Sequence, residues 1–263
     1  MYSLLFIRTI RKAKVLFLGV IVFSSFIIYQ QQKPVLYIIG DSTVKNGKGI
    51  NSNILQGWGT WIDVYFDTTK IEVQNHAIGG RSSRTFITDG RWDKILTTLK
   101  KGDYVMMQFG HNDVSPLDDT ARARGTIKGL GDDSVETYNP IRKIKEVVHT
   151  YGWYMRRFIN ETKAKGAIPI ICSPIPRYNY KDGKIVRESY AEWSKQLADE
   201  TKSFFIPLNE LITTEYEKTD SLEVKKLFPQ DHTHTNKDGA VMNAQLVVKG
   251  LKETNCSLRN YLK

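Results

Sequence analysis

The chain has 263 residues, a formal charge of +10, 41% apolar and 25% charged side chains, and two cysteines. That balance is ordinary for a globular protein, and the sparse cysteines give no disulfide framework. No Cys/His cluster has metal-ligand spacing, and no dense Lys/Arg stripe with interleaved aromatics points to nucleic acid.

Taken in chain order, residues 1–34 read as a targeting segment. Arg8, Arg11, Lys12 and Lys14 precede an apolar run from Val15 to Tyr29, short for a membrane span, with no clear small-x-small cleavage site. A cleaved signal peptide and an uncleaved signal-anchor both fit, and either exports the domain to the periplasm, the cell surface or the medium. Without these residues the body keeps 33 basic against 28 acidic side chains. That moderate excess suits an anionic partner or simple solubility.

Residues 35–263 fit one domain. Val35 to Ile39 predicts a buried first strand, Trp58 to Phe66 a helix, Ile71 to Asn75 a second strand and Phe86 to Lys100 a helix. Asp103 to Phe109 predicts a third strand. Residues 114–149 have weak periodicity, are punctuated by Gly125, Gly129 and Gly131, and read either as an insertion over the site or as a solvated excursion. Thr150 to Lys165 predicts a helix closed by Gly166, Ala167 to Cys172 a fourth strand, Tyr190 to Thr201 a helix, Ser203 to Leu208 a fifth strand and Asp238 to Thr254 the last helix. Whether Cys172 pairs with Cys256 is open. Strands alternating with helices imply a five-stranded parallel sheet covered on both faces, a three-layer α/β/α domain. Ligands in such sheets sit beyond the carboxyl ends of the strands.

Ser42, Gly79-Gly80 and Asn112 each follow a predicted strand, and Asp231 and His234 lie in the loop before the last helix. A serine hydroxyl needs an adjacent base to become a nucleophile, and an imidazole held by a carboxylate is such a base. His234 stands three residues after Asp231 and fits that role; His232 reads as structural. An oxyanion needs donors aimed at it, which the Ser42 and Gly80 amides and the Asn112 side chain can supply. Arg81 and Arg84 are candidates for a substrate carboxylate, or for pairing with Asp89 or another acid. Trp58, Trp61 and Trp92 read as core. No cofactor or metal is called for.

The blocks Gly40-Asp-Ser-Thr43, Gly79-Gly-Arg-Ser-Ser83, Gly110-His-Asn-Asp113 and Asp231-His-Thr-His234 resemble those of the SGNH/GDSL hydrolase superfamily. Phe109-Gly-His-Asn-Asp113 and Phe228-Pro-x-Asp-His-Thr-His-Thr235 are similar to the versions in the rhamnogalacturonan acetylesterase family. The resemblance implies a flavodoxin-like fold, Ser42 as nucleophile, His234 as base, Asp231 as its partner, and Ser42, Gly80 and Asn112 as the oxyanion hole. It also implies removal of acetyl groups from pectic rhamnogalacturonan. A general short-chain acyl esterase or lysophospholipase with the same apparatus is the alternative enzyme; a non-catalytic pectin-binding surface protein is the alternative outside enzymes.

Overall fold

The computed structural model describes residues 33–47 and 54–263. The expected targeting segment, with its apolar run and any membrane tether at residues 15–29, lies outside the described residues. Among the described residues no helix is long and apolar enough to cross a membrane.

The chain runs β1 (Val35–Gly40), two 3₁₀ turns (Trp58–Thr60 and Ile62–Tyr65), β2 (Glu72–Asn75), α1 (Ser83–Thr88), α2 (Arg91–Leu96) and β3 (Tyr104–Gln108). There follow β4 (Ser134–Asn139), β5 (Ile144–His149), α3 (Tyr151–Ala164), β6 (Ile168–Cys172), and the short β7 (Tyr180–Lys181) and β8 (Lys184–Ile185). Then come α4 (Ser189–Thr201), β9 (Phe204–Ile206), α5 (Leu208–Lys218), α6 (Ser221–Lys225) and α7 (Lys237–Glu253). Five strands form one parallel sheet in the order β2-β1-β3-β6-β9. This is the expected fold, an α/β/α sandwich with flavodoxin-like strand order.

Every residue of β1 and β3 is buried, as the unbroken apolar runs demand of strands covered on both faces. Alternate side chains feed two cores. Leu36, Ile38, Met106, Ile170 and Ile206 pack on one face against Ile212 of α5 and Ala244, Val247 and Leu251 of α7. Tyr37, Ile39, Val105, Met107 and Ile171 pack on the other against Phe86 of α1, Trp92 of α2, Phe158 of α3 and Leu197 of α4. Phe158 stacks on Phe109 at 5.4 Å between ring centroids and meets Trp92 edge-on at 5.0 Å. Trp58 and Trp92 are core side chains as expected, and Trp61 packs against the core from a half-buried position.

Several expectations change. The helix expected at Phe86 to Lys100 divides into α1 and α2 because Gly90 turns left-handed (φ 68°). The helix expected at Trp58 to Phe66 is two 3₁₀ turns, with Gly59 packed without a β-carbon against the Val44 carbonyl and Asn75. Helix α5 begins where the fifth strand was expected to end, and its Leu208, Ile212 and Tyr216 repeat every four residues toward the core. Cys172 and Cys256 are both buried and both free.

The 114–149 stretch contains structure of its own. Strands β4 and β5 pair antiparallel, from Ser134 opposite His149 to Asn139 opposite Ile144. The anchor is Arg84, which is 1% exposed. Its guanidinium pairs with Glu146 of β5 and donates to the carbonyls of Leu117, at 2.9 Å, and Gly125, at 2.8 Å. Arg84 therefore does not face a substrate carboxylate; it ties α1 to the excursion.

Arg84→Ala removes a buried cation and three acceptors' partner. Because Asn139 and Arg142 still reach Glu146, the expected loss is roughly 2–4 kcal/mol. It is read as a lowered thermal midpoint; an unchanged midpoint contradicts the anchoring role.

Candidate active site

Strand β1 is followed by a crossover to β2 on one side, while β3 leads away on the other, to β6. The loops after β1 and β3 therefore diverge and leave a crevice at their carboxyl ends. Ser42 enters it from the first loop and Asn112 from the second.

Beneath Ser42 the two loops are joined by a chain of buried polar groups. Trp58 Nε1 donates to Gln108 Oε1 at 2.9 Å, Gln108 Nε2 to Thr43 Oγ1 at 2.7 Å, and Thr43 Oγ1 to Asp41 Oδ1 at 2.8 Å. His111 Nδ1 meets Asp41 Oδ2 at 3.1 Å, and its Nε2 lies 2.9 Å from the Ile175 carbonyl. Both ring nitrogens face acceptors, so the ring carries both protons and forms a buried ion pair with Asp41. Burial opposes both charges, but the pair's mutual attraction and hydrogen bond outweigh it. They raise His111 and lower Asp41 from their ordinary values. A fully satisfied network of this kind holds its members in one geometry.

The tail of the chain completes the site. Asp231 Oδ1 accepts from the main-chain N–H groups of Thr233 and His234, both at 2.7 Å, so the loop wraps its own carboxylate. Asp231 Oδ2 lies 2.6 Å from His234 Nδ1, and His234 Nε2 lies 2.7 Å from Ser42 Oγ. Burial would raise the Asp231 carboxyl, but hydrogen bonds from the His234 amide, the His234 ring and the Thr233 amide hold it at about 2. It remains an anion that orients the imidazole and can stabilise its charged form. The loop is fixed by the Gln56 amide donating to the Thr235 carbonyl at 2.8 Å and by Asn236 capping α7 through Gly239 N–H at 3.1 Å. His232 is exposed and contributes structurally through its carbonyl, which accepts from Tyr178 N–H at 2.7 Å.

Ser42, Gly80, Asn112 and His234 line one cavity of about 540 Å³. Gly80 is left-handed (φ 72°), and a β-carbon there would coincide with the Arg122 guanidinium. The Asn112 side chain is oriented from both ends: Nδ2 donates to the Arg81 carbonyl at 3.0 Å, and Oδ1 accepts from Arg124 at 2.9 Å. One N–H of the amide is left for the cavity. The next residue, Asp113, is buried. Burial pushes its carboxyl up to about 7 against the opposing hydrogen bonds from Ser83, and it joins this loop to the start of α1 through the Ser83 amide at 3.1 Å. Arg81 is turned away into an ion pair with Asp89 at 2.6 Å. Of the two courses open to Arg81 and Arg84, a substrate carboxylate or an acid of the protein, both take the second.

Four cations unremarked in the sequence line the cavity instead: Lys45, Arg122, Arg124 and Arg177. Lys45 follows the Gly40-Asp-Ser-Thr43 block by two residues, while Arg177 comes close to motif residues only after folding. Arg122 and Arg124 stand two apart in the Gly-punctuated stretch, the one local hint that it borders the site.

Residues 38–241 match the GDSL-like lipase/acylhydrolase family. The chain is 31% identical over 231 residues to YesY of Bacillus subtilis, named a probable rhamnogalacturonan acetylesterase, covering 85% of this chain and 94% of that protein. It is 31% identical over 235 residues to a rhamnogalacturonan acetylesterase of Emericella nidulans, covering 86% of this chain and 88% of that one. The crystal structure of YxiM from Bacillus subtilis superposes with a TM-score of 0.69 at 29% identity, over 86% of this chain and 58% of that one. With a motif serine in contact with an imidazole at the sheet's switch point, and with these relatives, the chain belongs to the GDSL-like lipase/acylhydrolase family and is a serine esterase.

Proposed function

We propose that residues 35–263 are the catalytic domain of an exported carbohydrate acetylesterase acting on acetylated pectic polysaccharide of the rhamnogalacturonan type. The observation that carries the chemistry is the Ser42–His234–Asp231 line at the edge of the cavity. The substrate class is supported by the names of the relatives and by a cationic cavity wall, which suits an acidic sugar chain better than a long acyl chain. Export is supported by the basic residues and apolar run at the N-terminus, which leaves a membrane tether open to the same segment.

In this mechanism Ser42 Oγ passes its proton to His234 Nε2 and attacks the acetyl carbonyl. The resulting oxyanion is held by the amides of Ser42 and Gly80 and the remaining N–H of Asn112. His234 returns the proton to the departing sugar oxygen, which leaves an acetyl group on Ser42. A water activated by the same imidazole then releases acetate. Asp231 keeps the proton-bearing Nδ1 turned toward itself and Nε2 turned toward Ser42 throughout.

Acetate release from acetylated pectic oligosaccharides tests the reading. Ser42→Ala is expected to lower it by at least about 10³-fold; a variant that keeps most of the activity would rule Ser42 out as nucleophile. Asn112→Ala, measured in the same assay, is expected to reduce kcat by roughly 10²–10³. A loss confined to KM would instead make Asn112 a ground-state contact.

A further inference from the structure

Of the four cations around the cavity, two are committed to the protein. Arg124 is held by Asn112, Ser115 and Asp119, and Arg177 by Glu188, Thr233 and the His111 carbonyl. The side chains of Arg122 and Lys45 have no hydrogen-bond or ion-pair partner among the described residues. Both are exposed, and they bracket the Gly79-Gly80 pair. The Arg122 guanidinium occupies the space that a Gly80 side chain would fill. A β-carbon on Gly79 would lie 3.7 Å from Lys45 Cδ and 3.8 Å from Ser42 Cβ. No carboxylate is among the described residues lining this cavity.

The backbone is wound to put Arg122 there. Ala123, next in the chain, is fully buried in a left-handed conformation (φ 47°), which costs a residue with a β-carbon about 1 kcal/mol. Its amide donates to the Asp119 carbonyl at 2.6 Å, closing a turn that anchors Ala123 below and directs Arg122 over Gly80.

We propose that Arg122 and Lys45 form a carboxylate-binding subsite that selects a uronate residue at or beside the acetylated sugar. The inference rests on the carbohydrate acetylesterase reading and gives it a specificity determinant. A guanidinium offers a carboxylate two parallel donors, while an ammonium on a flexible stem adds a mobile point charge. The pair lies beside Ser42 without entering the proton path, so it acts on where the substrate sits.

The test compares each protein with itself on two substrates: an acetylated galacturonate-containing oligosaccharide as free acid, and the same oligosaccharide with its carboxyls methyl-esterified. Wild type is expected to favour the free acid by about tenfold in kcat/KM, mostly through KM. Arg122→Gln is expected to bring that preference to within about twofold, and Lys45→Gln to reduce it less. Loss of folded protein cancels from each ratio. Equal wild-type rates on the two forms, or a preference unaltered in Arg122→Gln, would overturn the subsite and leave the esterase reading intact. No acetate from either form would sink that reading and the subsite with it.

Discussion

The site depends on a constraint set beneath it, the buried polar chain that locks the loop after β1 to the loop after β3. Trp58, Gln108, Thr43, Asp41 and His111 leave no polar partner to chance, and the chain ends in an ion pair with almost no access to water. Breaking such a pair from one side strands a buried charge, so the two loops move together or not at all. Ser42 is next in sequence to one member, Asp41, and Asn112 to another, His111. Their separation across the crevice is thereby a property of the core. The His234 loop can then be a surface element that needs only to reach this fixed point.

That division of labour explains the burial pattern. The groups that position are sealed, while Ser42, Asp231 and His234 are half-buried and open to a ligand. Asp231 obtains its low proton affinity from N–H groups of its own loop. The His234–Asp231 pair therefore arrives as a preassembled unit, and the sheet has only to present the serine.

The central strands were legible because β1 and β3 are buried on both faces and so read as apolar runs, the one polar side chain, Gln108 at the end of β3, being satisfied by Trp58 and Thr43. The motif residues were legible because a hydroxyl after the first strand and a carboxylate–imidazole pair before the last helix have few other uses in combination. Helix boundaries were less so: Gly90 sits inside a helical period, and only its left-handed backbone divides α1 from α2. Helix α5 was hidden because Leu208 serves equally as the end of an apolar strand. The β4–β5 hairpin was invisible because Val135, Tyr138 and Val147 point outward and erase the alternation that marks a half-buried strand. Arg81 and Arg84 show the same limit for the site. Their type suited a substrate carboxylate or an internal acid, and Asp89 and Glu146 claimed them; of the cations that reach the cavity, Lys45 follows the Ser42 motif directly, but Arg122, Arg124 and Arg177 come from loops whose course only the fold sets.

The claim on which the account turns is that Ser42 is the activated hydroxyl and His234 its base. Mass spectrometry after treatment with a serine-directed phosphonofluoridate reads this without any choice of sugar substrate. The account predicts a single covalent adduct on the peptide containing Ser42, formed in step with loss of esterase activity and much more slowly in His234→Ala. An inactivated enzyme carrying its adduct on another residue, or labelling of Ser42 at the same rate without the imidazole, would contradict it.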